Sequence, residues 1–353
     1  MTAIASVPGA ARFTGGARRM ARITWFRHRW AVTAILGVFG VAALVLLGEG
    51  IAMRAWLDAR GIAHCLPMST GSRDAFCLRS QSLVGQFTGG SSGEAAFFAG
   101  DTAHLLLAGP AAAALFGGLP WLTREFETGS FRYTWVQGIN PRRWSLGTFG
   151  SLASVAAGGA VVLGVVFDWW YGIAKWPVNV TPDMGWDWDG FGLSPIALAG
   201  WTVFAMALAM LAGAAIRRTV PAMAAFAVSY AGCLFLGQWW LRPRLLSIAP
   251  VVARQSADTF YPSHWNDLSL NGWITAPDGH VVTAAQEVKL YFGMGQSHFR
   301  GTQSQWLAAH HYVSWMAYQP HSRLVLFQLA MVLALLVLSA TLVLAAIRLA
   351  LQR

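Results

Sequence analysis

Residues 324–347, LVLFQLAMVLALLVLSATLVLAAI, contain no charged side chain and only three polar ones, Gln328, Ser339 and Thr341. About 20 such residues in one helix match the hydrocarbon thickness of a bilayer. Five more runs of this kind precede it, at 31–48, 95–118, 146–167, 193–216 and 220–241. The 353-residue chain is 56% hydrophobic and 11% charged, carries 18 Trp, and has a mean hydropathy of +0.48. Those values belong to integral membrane proteins. The sequence therefore predicts an all-α integral membrane protein with six transmembrane helices inside a 31–347 domain.

Six crossings return the chain to the side it started from, and Lys and Arg decide which side that is. Six arginines precede residue 31, and Arg124, Arg132, Arg142 and Arg143 lie between spans two and three. Arg217 and Arg218 follow span four, and Arg348 and Arg353 lie in the tail, 348–353. Of the 15 acidic residues only Glu125 and Glu127 fall on that side, which marks it as cytoplasmic. The high pI is thus a product of topology and of contact with anionic lipid. It does not describe a nucleic-acid-binding domain. With six arginines and about 30 residues ahead of the first run and no small-residue cleavage site after it, that run is expected to stay as an anchor. The basic, amphipathic segment 1–30 includes a run from Arg18 to Trp30 suited to lying along the membrane.

Aromatic belts agree with this layout. Trp25, Trp30, Trp121 and Trp144 fall near inner boundaries; Trp56, Trp169, Trp170, Trp239 and Trp240 fall near outer ones. Three segments are then extracytoplasmic, 49–94, 168–192 and 242–323. The last is large enough for structure of its own, and Pro277-Asp278-Gly279 between β-branched residues has hairpin chemistry. Arg217-Arg218-Thr219 leaves no slack between spans four and five, so these should form an antiparallel pair. Cys65 and Cys77 share the first outer loop and are candidates for a disulfide closing it. Cys233 lies in span five as a small packing residue.

The loop 119–145 between spans two and three reads LTREFETGSFRYTWVQGINPRRW over residues 122–144. Pro120 suits a helix start, and Gly129-Ser130 a stop. Glu127 has Arg124 three residues back, whereas Glu125 has no cation at helical spacing. It is either a solvated loop acid or a carboxylate held out to another protein.

Arg124-Glu125-Phe126-Glu127-Thr128-Gly129-Ser130, followed by Tyr133-Thr134-Trp135 and then Arg142-Arg143-Trp144, resembles the corresponding loop of ATP-binding-cassette type 2 (ABC-2) permeases. Three further blocks resemble the actinobacterial branch of that family: Ile23–Arg29 before span one, Ala215–Met223 between spans four and five, and Tyr318–Arg323 before span six. The resemblance implies a six-helix half of an exporter whose amphipathic coupling helix, with Arg124, Glu125, Phe126, Glu127 and Gly129, rests on a separate cytoplasmic ABC ATPase subunit. Arg142, Arg143 and Trp144 would fix the return to the lipid boundary. It also implies a second permease copy or a homologous one, and ATP-Mg on the partner only. The sequence agrees on that last point: its two lysines, Lys175 and Lys289, lie outside any Gly-Lys-Ser/Thr phosphate-binding pattern.

Ionisable groups inside the spans are few, which speaks against ion coupling. Asp101 and His104, one turn apart near the outer end of span two, are candidates for substrate contact or exit gating, or else a boundary pair met by the outer loops. Gly147, Gly150, Gly158 and Gly159 in span three allow close helix approach. Asp183, Asp187 and Asp189 with Trp186 and Trp188 form either a cation-binding loop or a wet interfacial one. The histidines of the outer module do not have metal-ligand spacing, so no metal is expected. The leading expectation is an exporter permease for an amphiphilic small molecule, peptide or lipid in a bacterial plasma membrane. The alternatives are a membrane-embedded enzyme using His264, Asp267, His310 and His311 on a lipid-linked substrate, or a non-transporting sensor or immunity protein.

Overall fold

Apolar residues at helical spacing on the first run put Val32, Ile35, Phe39, Ala43, Leu46, Met53 and Leu57 on one buried stripe, while Leu36, Val41, Leu44 and Val45 stay exposed. That division is the reverse of a soluble helix, where the outer face is polar. It fits a helix packed on protein along one side and on lipid along the other. In a computed structural model the chain is described for residues 16–61, 105–120, 141–175, 185–186, 188–254, 267–296 and 303–351.

Helix α1 spans Gly16–Ala59. A short α2, Gly109–Ala113, runs into a π turn at Ala114–Gly118. Then follow α3 Pro141–Lys175, α4 Trp188–Leu193 and α5 Pro195–Ile216. Helix α6, Thr219–Phe235, continues through a second π turn, Leu236–Leu241, into α7, Arg242–Leu246. After an extramembrane module, a 3-10 turn at His321–Arg323 leads into α10, Leu324–Leu351.

Five of these helical stretches are long and apolar enough to cross a membrane: Arg29–Ala59, Ser145–Ile173, Pro195–Ile216, Thr219–Leu246 and His321–Ala350. The sixth expected span, 95–118, is described only from residue 105. Helical structure also outlasts the apolar runs. Residues 49–59 and 168–175, read from the sequence as the starts of outer loops, continue α1 and α3 without a break. The basic run from Arg18 belongs to the same helix as span one and is no separate element.

At the centre stands α5, with twelve of its 22 residues buried against three of 17 in α6. Ser194 caps it, its hydroxyl accepting the Ala197 N–H at 3.4 Å, with Pro195 in the first turn. Arg217 ends it in the left-handed conformation, φ 56°, and Arg218 is already extended before α6 begins. The chain therefore reverses within two residues. Trp201 of α5 meets Tyr230 of α6 edge-on at 6.2 Å, as an antiparallel pair requires. Close contact between α3 and α5 depends on Gly164, where an added methyl would lie 2.5 Å from the Pro195 Cα. Of the span-three glycines expected to permit close approach, only Gly159 does so, against Phe39; Gly147, Gly150 and Gly158 have no atom within 4 Å of that position.

The module between α7 and α10 departs from an all-helical architecture. Strands β1 (Val251–Arg254), β2 (Leu268–Thr275) and β3 (Val313–Gln319) form an antiparallel sheet in the order β1-β3-β2. The expected hairpin chemistry appears at the end of β2. Gly279, φ +89°, donates its N–H to the Ala276 carbonyl, and Thr275 bridges Val281. The His280 backbone and ring hydrogen bonds hold the exposed Asp278 carboxyl below its usual range. Helices α8 (Ala284–Gln296) and α9 (Gln303–Ala309) complete the module, which has its own small core of Ile274, Ala276, Val282, Trp306 and Leu307.

Polar side chains fasten this module to the bundle. Gln319 is fully buried and donates to the carbonyls of Leu246 (3.0 Å) and Ile248 (2.8 Å). Arg323 donates to the Ala249 carbonyl (2.8 Å) and to Gln319 Oε1 (3.3 Å), and the buried Asp267 accepts the His321 N–H at 2.8 Å. Those bonds occupy the carbonyls left open where α7 ends.

Two substitutions test this packing. Gly164→Ala should destabilise the purified chain by about 1–3 kcal/mol, lowering its thermal unfolding midpoint, while Gly158→Ala leaves that midpoint unchanged. Gln319→Ala strands the buried Leu246 carbonyl and removes the bond to the part-buried Ile248 carbonyl, and should cost ~2 kcal/mol, read in the same melts.

Candidate functional site

Arg124, Glu125, Phe126, Glu127 and Gly129 lie outside the described residues, as do Asp101, His104, Cys65 and Cys77. Both shoulders of the 119–145 loop are described. On the first, Leu119 is fully buried, and Gly117 packs against Ile35 with room only for a hydrogen: a methyl there would stand 3.1 Å from the Ala31 carbonyl. On the second, Pro141 opens α3 and Arg142, Arg143 and Trp144 follow in its first turn. Phe149, further along α3, joins a cluster with Ala207, Val343 and Ile347 from α5 and α10.

Arg217 ties the same end together. Its guanidinium donates to the Leu349 carbonyl at 3.5 Å, close to the C-terminus of α10, where a positive charge meets the negative end of the helix dipole. One end of the bundle thus gathers the start of span one at Arg29, the α5–α6 turn and the end of α10 at Arg348. The 119–145 loop leaves from this basic end.

The opposite end is aromatic. Glu49, half-buried in α1, accepts a hydrogen bond from the Trp170 indole N–H, and its Oε2 is buried with no partner. Arg54 lies 5.3 Å from the Trp169 ring, which fills the space that a side chain at Gly50 would take. Reading span one as ending at Gly48 left Glu49 in a loop. The signal was present in Met53, Trp56 and Leu57, which continue the buried stripe past it. Trp239 and Trp240 are exposed as belt residues should be, with Arg244 3.8 Å from the Trp240 ring. Trp170, assigned to the same belt by sequence, is instead buried between α1 and α3.

Trp186 corrects another expectation. It is neither a wet interfacial residue nor open to a ligand, being fully buried against Phe327 with ring centroids 5.8 Å apart. Its carbonyl accepts from the Arg242 guanidinium, which also lies 5.5 Å from the Phe191 ring. Continuous with this cluster, Arg242, Pro243, Leu246 and Ser247 line a groove of about 540 Å³ together with Leu268, Leu270, Asn271 and Trp273 of β2. The groove lies where the membrane helix α6–α7 gives way to the sheet.

Among the described residues of the enzyme alternative, Asp267 and His310 lie in different parts of the module. Asp267 is bonded to the His321 backbone beside the bundle, whereas His310 stacks on Trp306 at 4.1 Å in the module core. His264 lies outside the described residues. Tyr291 on α8, its hydroxyl donating to Glu287 at 2.7 Å, is pushed up to about 12 by burial and by that carboxylate.

Buried polar groups inside the bundle are the remaining feature. Tyr230 donates to the Leu107 carbonyl at 3.2 Å, and Thr202 and Ser339 bond back to their own helices at 2.7 and 2.6 Å. Among the described residues, Gln238 and the Trp201 indole, both buried, have no such partner.

Comparison with known proteins gives one match. A family model described as ABC-2 membrane transporter related matches residues 34–242, more than half of the chain, and takes in α1 through the second π turn together with the 119–145 loop. No curated protein and no solved structure matches the chain.

Proposed function

Because the chain belongs to the ABC-2 membrane transporter related family, we propose that it is the permease subunit of an ABC exporter, moving an amphiphilic small molecule, peptide or lipid outward across a bacterial plasma membrane. The observation that carries this reading is the family match itself, which spans the coupling-loop motif and the helices on both sides of it. Glu125, Phe126 and Glu127 are the anchoring points for a separate cytoplasmic ATPase subunit, with Arg124 and Gly129 shaping the short helix that carries them. ATP-Mg is bound by that partner. A second permease, identical or homologous, completes the pathway.

The route for force is short. The loop's first shoulder is wedged against α1 at Ala31 and Ile35, and its second is the first turn of α3. Both α1 and α3 are long helices whose far ends meet at Glu49, Trp169 and Trp170. A push on the loop is therefore delivered to two packed helices at once, and packed helices move as bodies because close-packed interfaces resist local deformation. In this reading Arg142, Arg143 and Trp144 hold the start of α3 at the lipid boundary. The arrangement of basic residues at one bundle end supports placing that end in the cytoplasm.

Affinity purification in mild detergent should bring down an ABC ATPase with the wild-type chain. Glu125→Lys should lose that subunit and reduce efflux at least tenfold while inserting into the membrane normally. Transport by the purified chain alone, or labelling of Phe126→Cys by an impermeant reagent added to intact cells, would refute the proposal.

A further inference from the structure

Gln238 is 3% exposed, and neither its Oε1 nor its Nε2 has a hydrogen-bond partner. A primary amide offers two donors and a carbonyl acceptor, and leaving all of them unmade inside a membrane bundle is costly because lipid supplies no substitute. Trp201, 4% exposed, leaves its indole N–H unbonded as well. Neighbouring Tyr230 shows that the same seam satisfies a hydroxyl when the role is structural, since it is bonded to the Leu107 carbonyl.

These groups sit where the helix is irregular. Gln238 belongs to the π turn Leu236–Leu241, and π turns in helices are frequently kept at functional sites. Glycines let this region pack closely on either side. A methyl on Gly192 of α4 would stand 3.1 Å from Gln238 Nε2 and 3.4 Å from Leu107, and one on Gly237 would stand 3.2 Å from the Trp201 ring. Four and eight residues further along, Arg242 and Leu246 line the groove of about 540 Å³ that opens beside the sheet. The unpaired amide thus lies about one helical turn from the start of that groove.

We propose that Gln238 and Trp201 are the substrate-contacting residues within the membrane, hydrogen-bonding the uncharged hydroxyl- or amide-bearing head group of an amphiphile on its way to the groove beside Arg242. The inference rests on the permease reading and names its substrate chemistry. Donors and an acceptor without formal charge suit a neutral head. An ion would lose its hydration there and gain no counter-charge from either side chain.

The full-length chain in lipid nanodiscs tests this without any ATPase or ATP, so failure here is separate from failure of the coupling loop. Thermal melts are recorded with N-decanoyl-N-methylglucamine, decyltrimethylammonium or decanoate below their micellar concentrations. The neutral probe should stabilise the wild type most. Gln238→Met, apolar and of similar length, should melt about 3 °C higher than wild type without a probe and lose the response to the neutral one. Trp201→Phe should fold normally and require at least fivefold more of that probe. A lower melting point for Gln238→Met would show that the amide is structural. Equal responses of wild type and Gln238→Met, or a preference for either charged probe, would also overturn the assignment.

Discussion

Helix α5 packs closely against several neighbours because glycine stands at its main contacts. Gly164 of α3 admits Pro195, Gly118 beside α2 lies against Met206, and Gly237 beyond α6 takes the edge of Trp201. Its own Gly200 receives Val332 of α10, 3.1 Å from where a methyl would be. Helices in lipid have little hydrophobic reason to associate, since the tails are as apolar as the side chains, so close backbone approach and dispersion contacts must hold them. A side chain at Gly164 would force α3 and α5 apart, because the atom it meets is backbone. The other features of the bundle, including the buried amide and the loop shoulders, depend on that central helix remaining in place.

Much of this was legible in the sequence, and the misses have physical causes. Apolar runs located α1, α3, α5, α6 and α10 because hydrocarbon demands a minimum length of uninterrupted apolar residues. They could not give the helix ends, since a helix is free to continue past the lipid wherever a buried stripe continues, as Met53 and Leu57 do after Glu49. Composition counted the glycines of span three without telling which ones met a neighbour. Gly159 and Gly164 were the tight ones, while Gly147, Gly150 and Gly158 have open space. Trp170 was read as a belt residue because Trp prefers boundaries on average, and Trp186 as part of a wet or cation-binding loop because aspartates surround it, but each is covered by protein.

The block Tyr318–Arg323 shows the other limit. As a string it carried resemblance alone. In the fold it becomes a set of hydrogen bonds: Gln319 reaches two carbonyls at the end of α7, Arg323 reaches a third, and Asp267 takes the His321 N–H. No local rule of sequence connects residue 319 with residue 246. Only the sheet, by running β3 back beside β1, brings them together.

The length of α1 has a mechanical consequence. Its 44 residues amount to about 66 Å of rod, roughly twice the hydrocarbon thickness. The part between Gly16 and Arg29 projects about 20 Å beyond the apolar stretch. If the rod tilts by about 10° around its packed middle, its N-terminal end, about 33 Å away, sweeps about 6 Å while the pivot stays in place. A small reorientation among the helices is thereby magnified into a movement large enough for another molecule in the aqueous phase to feel.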